Sequence, residues 1–129
     1  METALPYKID AQRRVCIKKD LIELSHWIDT IESINWELDH LKLIEKQLLK
    51  NSAIEMNLQG LRRKNSLLMG MLCKYEQELN TEYEYGKREY DTTRAKEHEK
   101  KRDIYSALIQ EFRQLKKVTY YNLSKYQRK

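Results

Sequence analysis

The sequence predicts an all-α fold, an elongated antiparallel three-helix bundle of the coiled-coil kind. Three observations predict it. The 129-residue chain holds one proline, Pro6, and 3 glycines, so little interrupts helix along most of its length. Apolar residues recur at three- and four-residue steps: Ile17, Leu21, Leu24, Ile28, Ile31, Ile34, Leu38, Leu41, Ile44 and Leu48 trace a helical seam and not a strand alternation. Charged residues make up 35% and hydrophobic ones 40%, the balance of long exposed helices that each bury one stripe. A chain of this length makes a single domain.

Helix one takes about residues 10–50. It is expected to end at Lys50-Asn51-Ser52-Ala53-Ile54-Glu55, where Asn51 suits the left-handed conformation that closes a helix. Ser52 and Glu55 have the capping-box spacing that opens the next one. So short a turn makes the two helices antiparallel neighbours. Helix two, about residues 52–88, carries its own seam in Ile54, Leu58, Leu61, Asn65, Leu68, Leu72, Tyr75 and Leu79. Reflecting the chain about the turn sets Leu41 near Leu61, Ile31 near Leu72 and Leu24 near Leu79. Asn35 and Asn65 interrupt the facing rows within about a turn of each other, a polar pair able to fix register at a cost in stability.

A second break is predicted where Gly86 is followed by the cap-type residues of Tyr90-Asp91-Thr92-Thr93. Helix three, about residues 93–126, then returns with Ile104, Leu108, Phe112, Leu115 and Val118 toward the core, Phe112 lying near Gly70. The charged run from Arg94 to Asp103 also supports an alternative, because Glu, Lys and Arg are good helix formers. In that alternative helix two runs straight on, giving a helical hairpin with a long projecting second helix that dimerises.

Several chemistries are made improbable. Glu23 with His26, and Glu37 with His40, match the Glu-x-x-His spacing of di-iron bundles. Both pairs lie on one helix about 21 Å apart, however, with the histidines opposite Ile31 and Leu38. Gly60, Gly70 and Gly86 are isolated, so no phosphate-binding loop exists, and Gly-x-Ser-x-Gly, Cys-x-x-Cys and His-Glu-x-x-His are absent. His98 sits in Lys96-Glu97-His98-Glu99-Lys100 and is expected on the surface. Cys16 and Cys73 fall too far apart on antiparallel helices for a disulfide. A bundle seam encloses no deep pocket, so no enzyme, no cofactor, no metal and no small-molecule substrate are expected. The N-terminal residues do not resemble a secretory signal, and no apolar run could span a membrane, so a cytoplasmic protein is expected.

Charge is uneven. Residues 1–50 hold eight basic and nine acidic side chains, residues 51–90 six of each, and residues 91–129 eleven basic against five acidic. Beyond Glu111, Arg113, Lys116, Lys117, Lys125, Arg128 and Lys129 interleave with Tyr120, Tyr121 and Tyr126. Cations beside stacking rings are a nucleic-acid pattern, although basic residues also complement a helix C-terminus. Tyr75, Tyr83 and Tyr90 continue the seam of helix two and are expected at the core edge with hydroxyls in water. Trp27 lies beside Ile31 and belongs in the core, whereas Trp36 falls outside the stripe and is a candidate interface anchor. These features predict a non-enzymatic helical coiled-coil interaction or scaffold protein, working through helix contacts with a protein partner or a second copy. The alternative is a small nucleic-acid-binding accessory protein using the basic, tyrosine-rich C-terminal segment.

Overall fold

A computed structural model describes residues 6–126; Arg128 and Lys129 of the basic segment therefore lie outside the described residues. Helix α1 (Tyr7–Ile44) runs into a five-residue π-turn, Glu45–Leu49, and the chain reverses into α2 (Ser52–Tyr85). After a connection over residues 86–91, α3 (Thr92–Ser124) returns beside both. At 38, 34 and 33 residues the helices are about 57, 51 and 50 Å long. The chain bends at Gly86, so the closed bundle is the fold and the projecting hairpin is not. Among the described residues there is no strand, and no helix is long and apolar enough to cross a membrane.

The first turn is displaced by one residue from its expected chemistry. Lys50, not Asn51, adopts the left-handed conformation, with φ 49° and ψ 46°. Asn51, not Ser52, caps α2: its side-chain oxygen accepts from the amides of Ala53 at 3.0 Å and Ile54 at 3.2 Å. The π-turn is the cause, because the Lys50 amide reaches back five residues to the Glu45 carbonyl at 2.7 Å. The same widening rephases the seam. After Leu41 the inward positions are Glu45 and Leu49, while Leu48 turns outward at 39% exposed.

Along α1 and α2 the core follows the apolar spacing. Ile17, Leu24, Trp27, Ile31, Ile34, Leu38 and Leu41 are buried, and all eight seam residues of α2 are buried against them. The amide of Asn65 donates to the Asn35 side chain at 2.7 Å and to the Ile31 carbonyl at 3.2 Å, tying the two helices in register. In α3 only Leu108, Phe112 and Leu115 join the buried apolar cluster. Ile104 and Val118, expected inward, are 50% and 38% exposed, and Thr119 is buried in place of Val118. Phe112 fills the core without help from Gly70, which is exposed and where an added Cβ would meet nothing within 4 Å. Cys16 and Cys73 are both free thiols.

Candidate functional site

Helix α3 has to dock its first half without aliphatic side chains, since nothing aliphatic is buried in it before Leu108. The inward positions about four and three turns earlier are Arg94 and His98, at 7% and 2% exposed. Burying such groups is costly unless each is partnered, and here each is. His98 Nε2 lies 2.8 Å from Glu23 Oε1 and 3.5 Å from Asp20 Oδ1, both on α1. Its Nδ1 is 2.7 Å from the hydroxyl of Tyr75 on α2. Nε2 faces carboxylates and so carries a proton, while Nδ1 and the tyrosine hydroxyl share a hydrogen bond.

The surrounding groups close the cluster. Arg102 embraces Glu23 with Nε to Oε2 at 2.8 Å and Nη2 to Oε1 at 2.7 Å. The Tyr90 hydroxyl donates to Asp20 Oδ2, and Trp27 stacks between His98 at 5.0 Å and Tyr105 at 5.4 Å. Arg94 pairs with Glu82 Oε2 at 3.0 Å. Arg13, 1% exposed, pairs with Asp10 at 3.0 Å and donates to the Glu82 carbonyl, where the C-terminal end of α2 presents partial negative charge. His98 is therefore not a surface residue, and the hydroxyls of Tyr75 and Tyr90 serve buried partners and not water. His26 and His40 are exposed, as their face predicts.

Electrostatics follow from this wiring. The two hydrogen bonds from Arg102, helped by His98, hold the Glu23 carboxyl down at about 2, against an ordinary value near 4.5. Burial pushes the Tyr75 and Tyr90 phenols well above their usual range, and the nearby Asp20 carboxylate pushes in the same direction. Both remain hydrogen-bond donors. Asp20, Glu23 and His98 offer ligand atoms within 4.8 Å of one another, the donor set among the described residues that could take a divalent cation. Arg102 already engages both oxygens of Glu23 and brings its own positive charge, so the arrangement is built as a hydrogen-bonded clasp across three helices. One signal for it was present in the sequence: stepping back from Leu108 through Tyr105 by threes and fours leads to Arg102, His98 and Arg94.

The residues singled out in the sequence lie elsewhere. Trp36 is 65% exposed on α1 and packs its ring on His40 at 4.0 Å. It belongs to an outward row, Val15, Ile22, Trp36 and Leu43, spaced by multiples of seven and all more than half exposed. Arg113, Lys116, Lys117 and Tyr120 share the outer face of α3. Lys116 is tied to Glu37 Oε2 at 3.0 Å, whereas Arg113 and Lys117 form no ion pair with a described residue. Tyr121 and Tyr126 are exposed near the helix end, and Lys125 stands over the Tyr121 ring at 4.5 Å. The structure thus gathers four of the basic-face residues and leaves Trp36 on a separate helix. Comparison of the chain with protein-family models, with curated protein sequences and with solved structures finds no match.

Proposed function

We propose that this is a non-enzymatic interaction protein that works by helix-to-helix contact, its rigid bundle holding apolar rows outward for another helix. The single observation that carries this reading is the exposed row on α1 that includes Trp36, with the exposed Asp29 at its midpoint. Isolated apolar residues are normal on a surface, but four large ones at heptad multiples along one helix form the stripe that a partner helix covers. Trp36 is its aromatic anchor, and its contact with His40 holds the ring in one orientation before binding. The buried clasp has a supporting part in this reading: it fixes α3 against α1 and so keeps the rod stiff.

A second reading is favoured by a different observation, the cluster of Arg113, Lys117 and Tyr120 on the outer face of α3, where two cations lack an acidic partner among the described residues. That face suits a phosphate backbone. Capture of partners by chemical cross-linking separates the two. The helix-contact reading expects capture to survive glutamine at Lys116, Lys117, Arg128 and Lys129, and to fall at least about 30-fold with Trp36→Ala, the loss of an anchor worth about 2 kcal/mol. Capture that ignores Trp36 and disappears with the basic residues would overturn it.

A further inference from the structure

Between α2 and α3 an open groove runs along the bundle, lined by Met56, Gly60 and Leu67 on one side and by Ile104, Ala107 and Val118 on the other. Met56 and Leu67 are each 71% exposed, Ile104 50% and Val118 38%. Midway the groove is bridged by Lys64 Nζ to Glu111 Oε1 at 2.7 Å. Ile104 and Val118 stand seven residues to either side of Glu111, and Met71 stands seven beyond Lys64. The face is therefore apolar at both ends and carries one charge of each sign at its centre.

We propose that two copies of this chain associate through the α2–α3 groove about a two-fold axis parallel to the helices, setting Lys64 of each copy beside Glu111 of the other. The proposal goes beyond the helix-contact reading: this face is separate from the Trp36 row on α1, and a second copy of the chain is its occupant. Charge selects the axis. A two-fold parallel to the bundle keeps each residue at its own height and exchanges the sides of the groove, so that α2 of one copy lies over α3 of the other. Lys64 and Glu111 are at one height, because they are paired within the chain, so the exchange completes an alternating square of two lysines and two glutamates. A two-fold perpendicular to the helices through the same point would put Lys64 over Lys64 and Glu111 over Glu111, which like-charge repulsion disfavours. The favoured axis also makes every neighbouring helix in the four-helix layer antiparallel, as bundle packing prefers.

Gly60 fits the same picture. Glycine within a helix destabilises it by about 0.5–1 kcal/mol relative to alanine. Nothing inside the chain requires one here, since a Cβ at position 60 would meet no atom within 4 Å. In the pair, α3 of the second copy passes over this gap, and Val118 of that copy comes down at the height of Gly60 and Met56. The apolar face is short. Ile104 to Val118 spans about 21 Å, less than the length over which a standard interface of about 800 Å² per partner is spread. Association in the micromolar range follows, with the charge square setting register more than affinity.

Sedimentation equilibrium of the full chain, over roughly 1 to 300 µM to bracket that range, is the test. The expected result is a mass that rises from 15.7 kDa toward twice that value. Leu67→Glu and Ile104→Glu alter exposed residues and should each weaken the pair at least about tenfold without loss of helix. K64E alone and E111K alone should also weaken it, while an equimolar mixture of K64E and E111K chains should pair about as well as the unaltered protein, because opposite charges then face each other in trans. A chain that stays monomeric throughout overturns the proposal, as does a dimer indifferent to Leu67→Glu or a mixture that pairs no better than its components. A monomer whose cross-linked capture of another protein still depends on Trp36 would refute this pairing and leave the helix-contact reading standing. Loss of the Trp36 dependence would remove that reading instead.

Discussion

Replacing His98 by alanine should loosen the first half of α3 and cost about 3–5 kcal/mol. The figure follows from what the ring touches. Its bond with the ionised Glu23 contributes about 1.5–3 kcal/mol and that with Tyr75 about 1, and the stack on Trp27 at 5.0 Å adds about 0.5–1.5. Glu23 keeps both bonds from Arg102, so no charge is stranded, but the Tyr75 hydroxyl is left without its partner at an 8% exposed site. For a chain of this size the loss corresponds to a fall in melting temperature of about 10–20 °C, read by circular dichroism. Hydrogen exchange should show protection falling first over residues 92–105, the part of α3 that no buried aliphatic side chain holds. Tyr75→Phe should cost less, and the double variant should cost less than the sum of the two, since both remove the same bond. A shift under about 2 °C for His98→Ala would mean that the ring does not hold α3 in place, because that is the response of an exposed histidine.

Other consequences are more local. Asn51→Ala should lose about 0.5–2 kcal/mol in urea denaturation, while Ser52→Ala should change little and Lys50→Gly should stabilise by up to about 1 kcal/mol by relieving the left-handed backbone. Gly86→Ala should destabilise, since its Cβ would come within 2.6 Å of the Glu82 carbonyl oxygen and closer still to the carboxylate that Arg94 holds; Gly60→Ala, in open space, should stabilise the helix by about 0.4–1 kcal/mol in dilute, monomeric protein. The folded Glu23 carboxyl takes up its proton at a lower pH than the unfolded one. Its stabilising share is thus complete above about 4.5 and is lost as the pH falls from there toward about 2. Glu23→Gln should flatten that part of the acid limb in a pH series of melting curves.

The apolar spacing reveals α1 and α2 because their seam positions are filled by Leu and Ile, whose burial needs no partner beyond shape. Asn35 and Asn65 could be paired from sequence for the same reason: two helices joined by a short turn have calculable register. What the spacing does not reveal is the docking of α3. Arg94, His98 and Arg102 look like a solvated charge run until Glu23, Asp20, Glu82 and Tyr75 are brought opposite them by the fold, and those partners are 12 to 79 residues away in the chain. Ile104 and Val118 look inward only if α3 takes its phase from aliphatics alone, whereas the clasp rotates the stripe onto Tyr105, Leu108, Phe112, Leu115 and Thr119. At the first turn the π-turn adds a residue that no local propensity announces, and cap and left-handed residue each move back by one. Trp36, by contrast, is outside the stripe in both views, since a position facing away from a straight seam stays exposed whatever α3 does.

The claim that this protein works through helix contacts, and not through phosphate recognition, is tested most directly by titrating it into fluorescently labelled single- and double-stranded oligonucleotides at low salt, about 50 mM, where electrostatic binding is strongest. No saturable change in anisotropy is expected at micromolar protein. Saturable binding that weakens steeply with added salt, and is abolished by glutamine at Lys116, Lys117, Arg128 and Lys129 in a bundle that still melts normally, would contradict that claim.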